Sequence, residues 1–506
     1  MSSGAHGMIP VIDLFAGPGG LGEGFSSVKD HLGKAIFKLG VSIEKDPYAH
    51  ATLQLRAAQR HLPTPKSRTA YLDLLAGRID YTTFCGIPAV AESISEAGDE
   101  AKLAELGKTD PKVVDGWISR ALHGSNEWVL IGGPPCQAYS LAGRSRRRND
   151  ANFEADEKHF LYKEYLRILS RFEPAVFVME NVKGLLSASH GGNSMFMKMI
   201  GELGRAAGRN SYDIRSFVSS PDLGGYVPAD YVIRSENYGV PQTRHRVILL
   251  GVRSDYRQKN SPLLDPVEKP ATFAEALSGI PEARGRLSGD DTFAGWLSAI
   301  RQTGQLLSGW KSPARSAVQE SLAMSLERAL RFHKADVLKS KRKKAAGNLL
   351  KWLEGDAEGI ISLHEPRSHM AADLQRYFFL TNYAKVTGNS LKLQELPEKL
   401  MPDHANARLE NPPNQDRFRV QLPGRPASTV VSHIAKDGHY YIHPDPAQCR
   451  SLTVREAARL QTFPDSYLFL GPRTAQFAQV GNAVPPYLAR QLGSAVATLL
   501  GKNPVT

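Results

Sequence analysis

Three short segments of this 506-residue chain carry side chains that could act together on one substrate. Cys136 follows a Gly-Gly-Pro-Pro turn, and Glu180 comes 44 positions later, directly after the apolar run 175–179. Arg244 and Arg246 come just before a second apolar run. Short continuous apolar runs are typical of buried strands. The carboxyl and guanidinium groups are therefore expected at strand ends.

A cysteine thiolate, a carboxyl group and paired guanidinium groups suit chemistry on a pyrimidine ring. The thiolate is a soft nucleophile that adds to C6 of cytosine. A carboxyl group that acts as a general acid at N3 makes this addition possible, and C5 can then take a methyl group from a sulfonium. Residues two apart on a strand share a face, so Arg244 and Arg246 are expected to hold one oxygen or anion together.

Each segment has a common alternative when it is taken alone. A single cysteine is usually a small core residue, a Glu-Asn-Val segment can be an ordinary strand end, and Arg-x-Arg is often solvated surface. The catalytic interpretation depends on the three occurring in this order, each beside a predicted strand.

A glycine-rich turn near the start of the sequence predicts a cofactor site. The apolar run 11–15 is expected to be a strand that leads into the turn 16–22, with a helix from Glu23. Glycines at such a turn let backbone N–H groups approach a polar or anionic ligand closely. A second predicted strand ends at Glu44, 24 residues after Gly20. That spacing suits a carboxylate that bridges ribose hydroxyls.

The competing cofactor is a dinucleotide. No nicotinamide-specific pattern follows the turn, and a Pro-Pro-Cys-Gln segment has no role in hydride transfer, so S-adenosylmethionine is favoured. Asp73, within the apolar run 71–75, is expected to end a third strand and contact the adenine amine. A surface acid is an equally good interpretation of Asp73.

These segments resemble the motifs of the DNA cytosine-5 methyltransferase family, in the family's order. The matching segments are residues 13–20, Pro135–Gln137, Glu180–Val182, Gln242–Arg246, 450–465 and 479–485. The resemblance implies an α/β fold: a Rossmann-like, doubly wound methyltransferase domain with a mixed seven-stranded sheet, and a smaller mixed target-recognition lobe. It also implies a target cytosine that is flipped out of the duplex.

The resemblance assigns roles to residues of this chain. It implies that Cys136, Glu180, Arg244 and Arg246 are catalytic, with Phe15 stacked on the adenine and Asn482 returning to the cofactor pocket. The residues expected to bind S-adenosylmethionine, and the product S-adenosylhomocysteine, are Phe15, Gly17, Pro18, Gly19, Gly20, Glu44, Lys45, Asp73, Leu74, Pro134, Leu161, Asn482 and Ala483.

Two positions depart from the family's pattern. Lys158 stands where an arginine is common, and lysine keeps the charge but loses the planar fork. Lys45 stands where a bulky apolar side chain often covers the adenine. Contacts at both positions are expected to differ from those of the family.

The charge distribution predicts a polyanionic partner. The net charge is +12, and residues 301–351 hold 12 Lys+Arg against 3 Asp+Glu, a local net of +9. A solvated helix face is the alternative for such a run, but a lobe that meets DNA gives the charge a purpose. The residues expected to contact DNA are Gln137, Ser140, Arg144, Arg146, Arg147, Arg148, Lys158, Lys341, Arg342, Lys343 and Lys344.

Two domains in three segments are predicted: a catalytic domain over 1–254, a target-recognition domain over 255–446, and a return to the catalytic domain over 447–506. Residues 80–127 are expected to be a helical insertion between the third strand and the nucleophile strand. A helical basic part is expected over about 295–355, and short strands over Phe418–Leu422, Ser428–Val431 and Tyr440–Ile442.

No metal is expected. His433, His439 and His443 invite a metal interpretation, but no cysteine or acid pattern supports it. The three cysteines, Cys85, Cys136 and Cys449, show no pairing spacing. Without a signal peptide or a long apolar run, the chain is expected to be cytoplasmic, without a membrane partner, and monomeric.

The residues favour methylation of carbon 5 in cytosine of duplex DNA, and two alternatives stay open. One is an RNA cytosine-5 methyltransferase that acts on tRNA, and the other is a catalytically silent DNA-binding regulator. The resemblance suggests a bacterial host-modification enzyme, encoded beside restriction or phage-defence proteins, including systems of the DISARM type.

Overall fold

The computed structural model of the protein describes residues 7–135, 158–187, 189–190, 193–221, 225–260, 262–333, 335–338, 347–404, 407, 409 and 415–505. The chain divides into two compact units. The first comprises Met1–Lys269, Tyr467–Gly471 and Asn482–Thr506, and the second comprises Pro270–Ser466 and Pro472–Gly481. These bounds are not those of the predicted domains, and the role of each unit stays a prediction.

The elements are given in chain order. The strands are β1 (Ile9–Leu14), β2 (Phe37–Glu44), β3 (Ala101–Leu103), β4 (Val129–Gly132), β5 (Val176–Val182), β6 (Ser189–His190), β7 (Asn193–Ser194), β8 (Tyr212–Arg215), β9 (Val232–Arg234), β10 (Gln242–Thr243), β11 (His245–Arg253), β12 (Glu282–Ala283), β13 (Arg286–Leu287), β14 (Val337–Leu338), β15 (Ser368–His369) and β16 (Ala427–Ser428). The α-helices are α1 (Gly20–Ser26), α2 (Pro47–Arg60), α3 (Pro65–Leu75), α4 (Tyr81–Cys85), α5 (Pro88–Glu100), α6 (Pro111–Leu122), α7 (Lys158–Phe172), α8 (Met195–Gly204), α9 (Phe273–Ala276), α10 (Phe293–Arg301), α11 (Thr303–Leu306), α12 (Arg315–Ala329), α13 (Asn348–Glu354), α14 (Ala371–Thr387), α15 (Val454–Leu460), α16 (Arg473–Asn482) and α17 (Pro486–Leu499). Short 3-10 helices cover Lys183–Ser187, Pro228–Tyr231, Ser235–Tyr238, Ser254–Tyr256, Leu330–His333, Leu393–Glu395, Glu398–Leu400, Ser432–Ala435 and Gly438–Tyr440.

A mixed sheet forms the centre of the first unit. Its order is β3-β2-β1-β4-β5-β11-β8, and an eighth strand, β9, also pairs with β11. Strands β3, β2, β1, β4 and β5 run parallel, whereas β11 is antiparallel to its neighbours. All four residues of β4 are buried, which explains the continuous apolar runs, because parallel strands are covered on both faces.

Helices cover both faces of this sheet. Phe25 in α1 and Leu492 in α17 belong to the apolar cluster on one face. Ile118 in α6, Ile168 in α7 and Phe196 in α8 belong to the cluster on the other. The predicted doubly wound α/β fold is therefore confirmed, with eight strands instead of seven.

The second unit is built mainly from helices. The central helix, α14, contributes Leu374, Tyr377 and Phe378 to an apolar core that also includes residues of α10 and α12. Helices α10 to α13 lie in the described parts of the segment where a helical part was expected. Helix α14 was not among the elements predicted from the sequence.

The prediction of three short strands near the end of the second unit is largely wrong. Only β16 overlaps a predicted strand, and Val420 and Ile442 form an isolated bridge. Tyr440 lies in a 3-10 helix. β-Propensity depends on the packing of a strand against its neighbours, so apolar and aromatic residues alone overstated the extent of these strands.

The late helix motif forms α15, with a capping box between Thr453 and Glu456. Arg450 and Glu456 form a buried ion pair at 2.6 Å, as do Arg459 and Asp465. These pairs tie the helix into the second unit. No helix among the described residues has the length and apolar character needed to cross a bilayer.

Candidate active site

The turn between β1 and α1 has a backbone that requires glycine. Gly17 and Gly19 have φ angles of 57° and 93°, values that L side chains rarely adopt. Phe15 also has a φ of 57°, which is a strained conformation for a bulky residue. The amide of Ala16 donates to the carbonyl of Ile43, in β2, at 3.0 Å. The turn is thus fixed at the carboxyl ends of β1 and β2.

Gly20 begins α1 and packs directly against the last motif. A Cβ atom on Gly20 would lie 2.2 Å from the carbonyl oxygen of Val484, well inside van der Waals contact. Just before Val484, Ala483 is buried and Asn482 is exposed. This segment therefore lies against the glycine-rich turn, and cofactor binding by Asn482 and Ala483 stays a prediction.

Gly20→Ala is expected to lower the free energy of unfolding by about 1–3 kcal/mol, because the added methyl group overlaps a backbone oxygen. Urea unfolding measures the change, and calorimetry with S-adenosylmethionine should show weaker binding. Gly116→Ala in α6 is the matched control, since no atom lies within 4 Å of its added Cβ. That control should be as stable as the wild type or up to about 1 kcal/mol more stable. Equal stability of the two variants would contradict the packing argument.

Glu44 is held rigidly at the end of β2. Its Oε2 accepts a hydrogen bond from the amide of Gly17 at 2.8 Å. Its Oε1 accepts from the amides of Lys45 and Asp46, each at 2.8 Å. A carboxylate has about four acceptor sites, so three backbone donors leave capacity for a ribose hydroxyl.

The prediction that Asp73 ends a third strand is wrong. Asp73 lies in α3, where Nε of Arg78 is 2.6 Å from its Oδ1, and Leu74 is buried in a helical cluster. Thr64 caps this helix and Pro65 occupies its first turn. These start signals precede the apolar run, which has helical rather than strand geometry.

The third strand, β3, lies within residues 80–127, so this segment is not purely a helical insertion. The amide of Ala104, directly after β3, donates to the carbonyl of Glu44 at 2.9 Å. The next residue, Glu105, pairs with Nζ of Lys45 at 3.2 Å. Lys45 and Glu105 therefore line a groove at the carboxyl ends of β2 and β3. Glu105 follows the third strand, which is where Asp73 had been expected from the sequence.

Tyr467 fixes the glycine-rich turn from 449 positions away in the sequence. Its hydroxyl donates to the carbonyl of Pro18, and a Cβ on Gly19 would lie 2.9 Å from the hydroxyl oxygen. The guanidinium of Arg56 lies 5.0 Å from the Tyr467 ring centroid and pairs with Glu23 of α1 at 2.5 Å. No local sequence pattern marks this contact, so it could not be predicted from the sequence.

The segment that leads to Cys136 lies beside Glu180. A Cβ on Gly133 would be 3.0 Å from Oε2 of Glu180. Nδ2 of Asn181, the next residue of β5, donates to the carbonyl of Pro134 at 3.3 Å. Glu180 and Asn181 therefore contact residues that are three and two positions before Cys136 in the chain. Cys136 itself lies outside the described residues.

Arg246 pairs with the acid. Its Nε is 2.9 Å from Oε1 of Glu180, and both side chains are about 15% exposed. Arg244 is fully buried and precedes the first residue of β11. Its amide donates to the carbonyl of Gln242 at 3.0 Å. Arg244 therefore lies between β10 and β11 and not on one strand with Arg246, and the joint binding of one anion by the two arginines stays a prediction.

Most of the predicted DNA contacts are not described. The site residues outside the described residues are Cys136, Gln137, Ser140, Arg144, Arg146, Arg147, Arg148, Lys341, Arg342, Lys343 and Lys344. Lys158 is the first residue of α7. Leu161 in the same helix lies 3.9 Å from where a Cβ on Gly107 would be, beside the loop that follows β3.

The three histidines considered as metal ligands have separate surroundings. His439 shares a hydrogen bond with the hydroxyl of Tyr377 at 2.7 Å, and His443 lies 3.8 Å from Glu456. His433 packs against a tyrosine ring. Over the described ranges, no three residues of the types His, Cys, Asp or Glu gather as metal ligands would.

Residues 121–498 match the family model described as C-5 cytosine-specific DNA methylase. The chain belongs to this family. It is a DNA (cytosine-5-)-methyltransferase, and the family is S-adenosylmethionine-dependent.

Relatives of this methyltransferase match along nearly all of its length. Type II methyltransferase M.Bpa9945I of Bacillus paralicheniformis is 32% identical over 97% of this chain and 99% of its own. Type II methyltransferase M.AgeI of Thalassovita gelatinovora is 26% identical over 96% and 98%. A candidate DNA modification methyltransferase from an Escherichia coli prophage has a crystal structure with a TM-score of 0.55 and 19% identity, covering 98% of this chain and 100% of that one. That structural likeness supports the shared fold.

Proposed function

We propose that this methyltransferase acts on a specific site in duplex DNA, flips out one cytosine and methylates it through a covalent bond between Cys136 and C6. The observation that carries the proposal is the packing of Glu180 and Asn181 against Gly133 and Pro134. It supports a single pocket for the nucleophile and the acid, because only one residue separates Pro134 from Cys136.

The reaction uses three side chains. The thiolate of Cys136 forms a bond to C6 of the flipped base, and the displaced electron pair moves through the ring while Glu180 donates a proton at N3. C5, now part of an enamine, bonds to the methyl group. Water then takes the C5 proton, and the electron pair re-forms the C5–C6 double bond and expels the thiolate. N3 returns its proton to Glu180, which Arg246 holds in place.

The residues at the glycine-rich turn fit S-adenosylmethionine. When bound, this cofactor supplies a methyl group on a sulfonium and is released as S-adenosylhomocysteine. The turn has glycine at two positions of positive φ, which leaves room for a ligand to approach the backbone closely, and the fixed carboxylate of Glu44 suits ribose hydroxyls. Glu105 replaces Asp73 as the acid proposed to meet the adenine amine, because it follows β3 and lines the groove.

The DNA contacts proposed from the sequence are the basic tracts near 144–148 and 341–344. The first follows Cys136 closely in the chain, and the second belongs to the second unit. The type II names of the relatives support a role in host DNA modification alongside a restriction or phage-defence system.

Methyl transfer from tritiated S-adenosylmethionine to duplex DNA and to tRNA, in parallel, tests the proposal. Incorporation into duplex DNA is expected, and bisulfite sequencing of the product should show one recurring sequence. Incorporation into tRNA alone would favour the RNA methyltransferase. Binding to duplex DNA without incorporation would favour the silent regulator.

A further inference from the structure

Two arginines of the second unit lie together in an unusual environment. The guanidinium of Arg367 is stacked 3.9 Å from the ring centroid of Phe477, and its Nη2 donates to the carbonyl of Ile434. Nη1 of Arg473 donates to the carbonyl of Pro366 at 3.3 Å. Burial first, and then the charge of Arg473, lower the pKa of Arg367 to about 10. Arg473 begins the helix that carries Phe477, and it binds the carbonyl of the residue before Arg367, so the two cations lie near each other.

Nearby carboxylates are paired with other arginines. Glu365 pairs with Arg286 at 2.7 Å, and Asp437 pairs with Arg417 at 3.1 Å. Asp437 still acts on Arg367 through space, though less than Arg473 does. In the part of the chain that the structure describes, neither Arg367 nor Arg473 forms an ion pair. A partly buried cation without a counter-ion is costly, so this pair has a reason to recruit an anion.

The helix that begins at Arg473 adds to the positive potential. Helix α16 has no acidic residue in its first turn, although the partial positive charge at a helix N-terminus favours acids there and disfavours arginine. The amides of the first turn also lack intrahelical acceptors. The amide of Gln476, in the first turn of α16, donates a hydrogen bond to the carbonyl of Pro472. An anion at this position would relieve both conflicts, and such conflicts with local rules are expected at functional sites.

The charges of the two arginines also act on a buried histidine, His369. Burial and surrounding cations, among them Arg367 and Arg473, lower the pKa of His369 to about 3. His369 is thus neutral at physiological pH and adds no further charge. The excess charge lies on the two arginines, of which Arg473 is exposed.

We propose that Arg367, Arg473 and the N-terminus of α16 form a binding site for a backbone phosphate of the DNA substrate, an inference that rests on the proposed function. Guanidinium forks match phosphate oxygens, and phosphate contacts fix the register of a protein on duplex DNA without reading its sequence. The site would therefore hold the DNA duplex in register without contributing to the choice of DNA sequence.

The test is the salt dependence of duplex binding by the full chain, measured by fluorescence anisotropy. Arg473→Gln is expected to reduce the slope of log K against log salt by about 0.9, the loss of one phosphate contact. Its affinity near physiological salt should fall about tenfold, equally for specific and unrelated sequences. Arg473→Lys should restore the slope. The melting temperature and the affinity for S-adenosylmethionine should not change.

Arg171→Gln is the matched control. Arg171 is exposed and pairs with Asp115. It precedes the start of β5 and so lies near the amino ends of the parallel strands, away from their carboxyl ends. That variant should keep the wild-type slope. If the wild type methylates duplex DNA while Arg473→Gln binds with unchanged slope and affinity, the phosphate site is overturned and the proposed function stands. If the wild type neither binds nor methylates duplex DNA, both fail. Stabilisation by inorganic phosphate that Arg473→Gln removes, without any change in DNA binding, would assign the site to a free anion.

Discussion

Cys136→Ala is expected to lower the rate of methyl transfer by about 10⁴-fold or more, to the background of the assay. No other group in the proposed site can form the bond to C6, and without this bond C5 is too weak a nucleophile to attack the methyl group. The measurement is single-turnover incorporation of tritium into duplex DNA. S-adenosylmethionine binding should stay within about twofold of the wild type, because the glycine-rich turn and Glu44 are intact.

Cys85→Ala provides the control for removal of a thiol. Cys85 ends α4 in the first unit, and it is partly exposed. This variant should keep wild-type activity. Turnover by Cys136→Ala at a rate close to that of Cys85→Ala would refute the nucleophile assignment.

Glu180→Gln is expected to lower kcat by about 10²–10⁴-fold. Glutamine has nearly the same shape, so it preserves the contact with Gly133, but it cannot donate a carboxyl proton to N3. It also leaves the guanidinium of Arg246 without the carboxylate that lies 2.9 Å away. Pre-steady-state methyl transfer on duplex DNA measures the loss, with the affinity for DNA determined separately.

Asp255→Asn is the matched control for this acid. Asp255 pairs with Arg253 at the other end of β11, at 2.8 Å, so the variant also removes a carboxylate from an arginine. It should keep kcat within about twofold of the wild type. Equal losses in the two variants would mean that Glu180 acts only by stabilising the strand.

The central sheet could be predicted from the sequence because its parallel strands are buried on both faces. The apolar runs 11–15 and 175–179 largely coincide with β1 and β5, and the strand predicted to end at Glu44 is β2. The run 71–75 is also mostly apolar, but it lies in helix α3, which Thr64 caps at its N-terminus. Its apolar composition alone was therefore misleading. The strand that belongs there, β3, has only three residues, too few for a periodic signal.

The candidate site was predictable where its residues are close in sequence to a strand end. Glu44 and Glu180 are of this kind. Tyr467 and Pro18, or Arg367 and Arg473, meet only through the tertiary fold, and no local pattern links them. The second unit was harder to predict because its core rests on a helix, α14, whose polar side chains Asp373, Arg376 and Asn382 are also buried.

The central claim is tested most directly by a duplex that contains 5-fluorocytosine at the target position. Fluorine cannot leave C5 as a proton does, so the bond from sulfur to C6 should persist after methyl transfer. We predict a complex that survives denaturation, forms only with S-adenosylmethionine present, and maps by mass spectrometry to the peptide that contains Cys136. Normal methylation of ordinary cytosine with no such complex, or attachment at a different residue, would contradict the account.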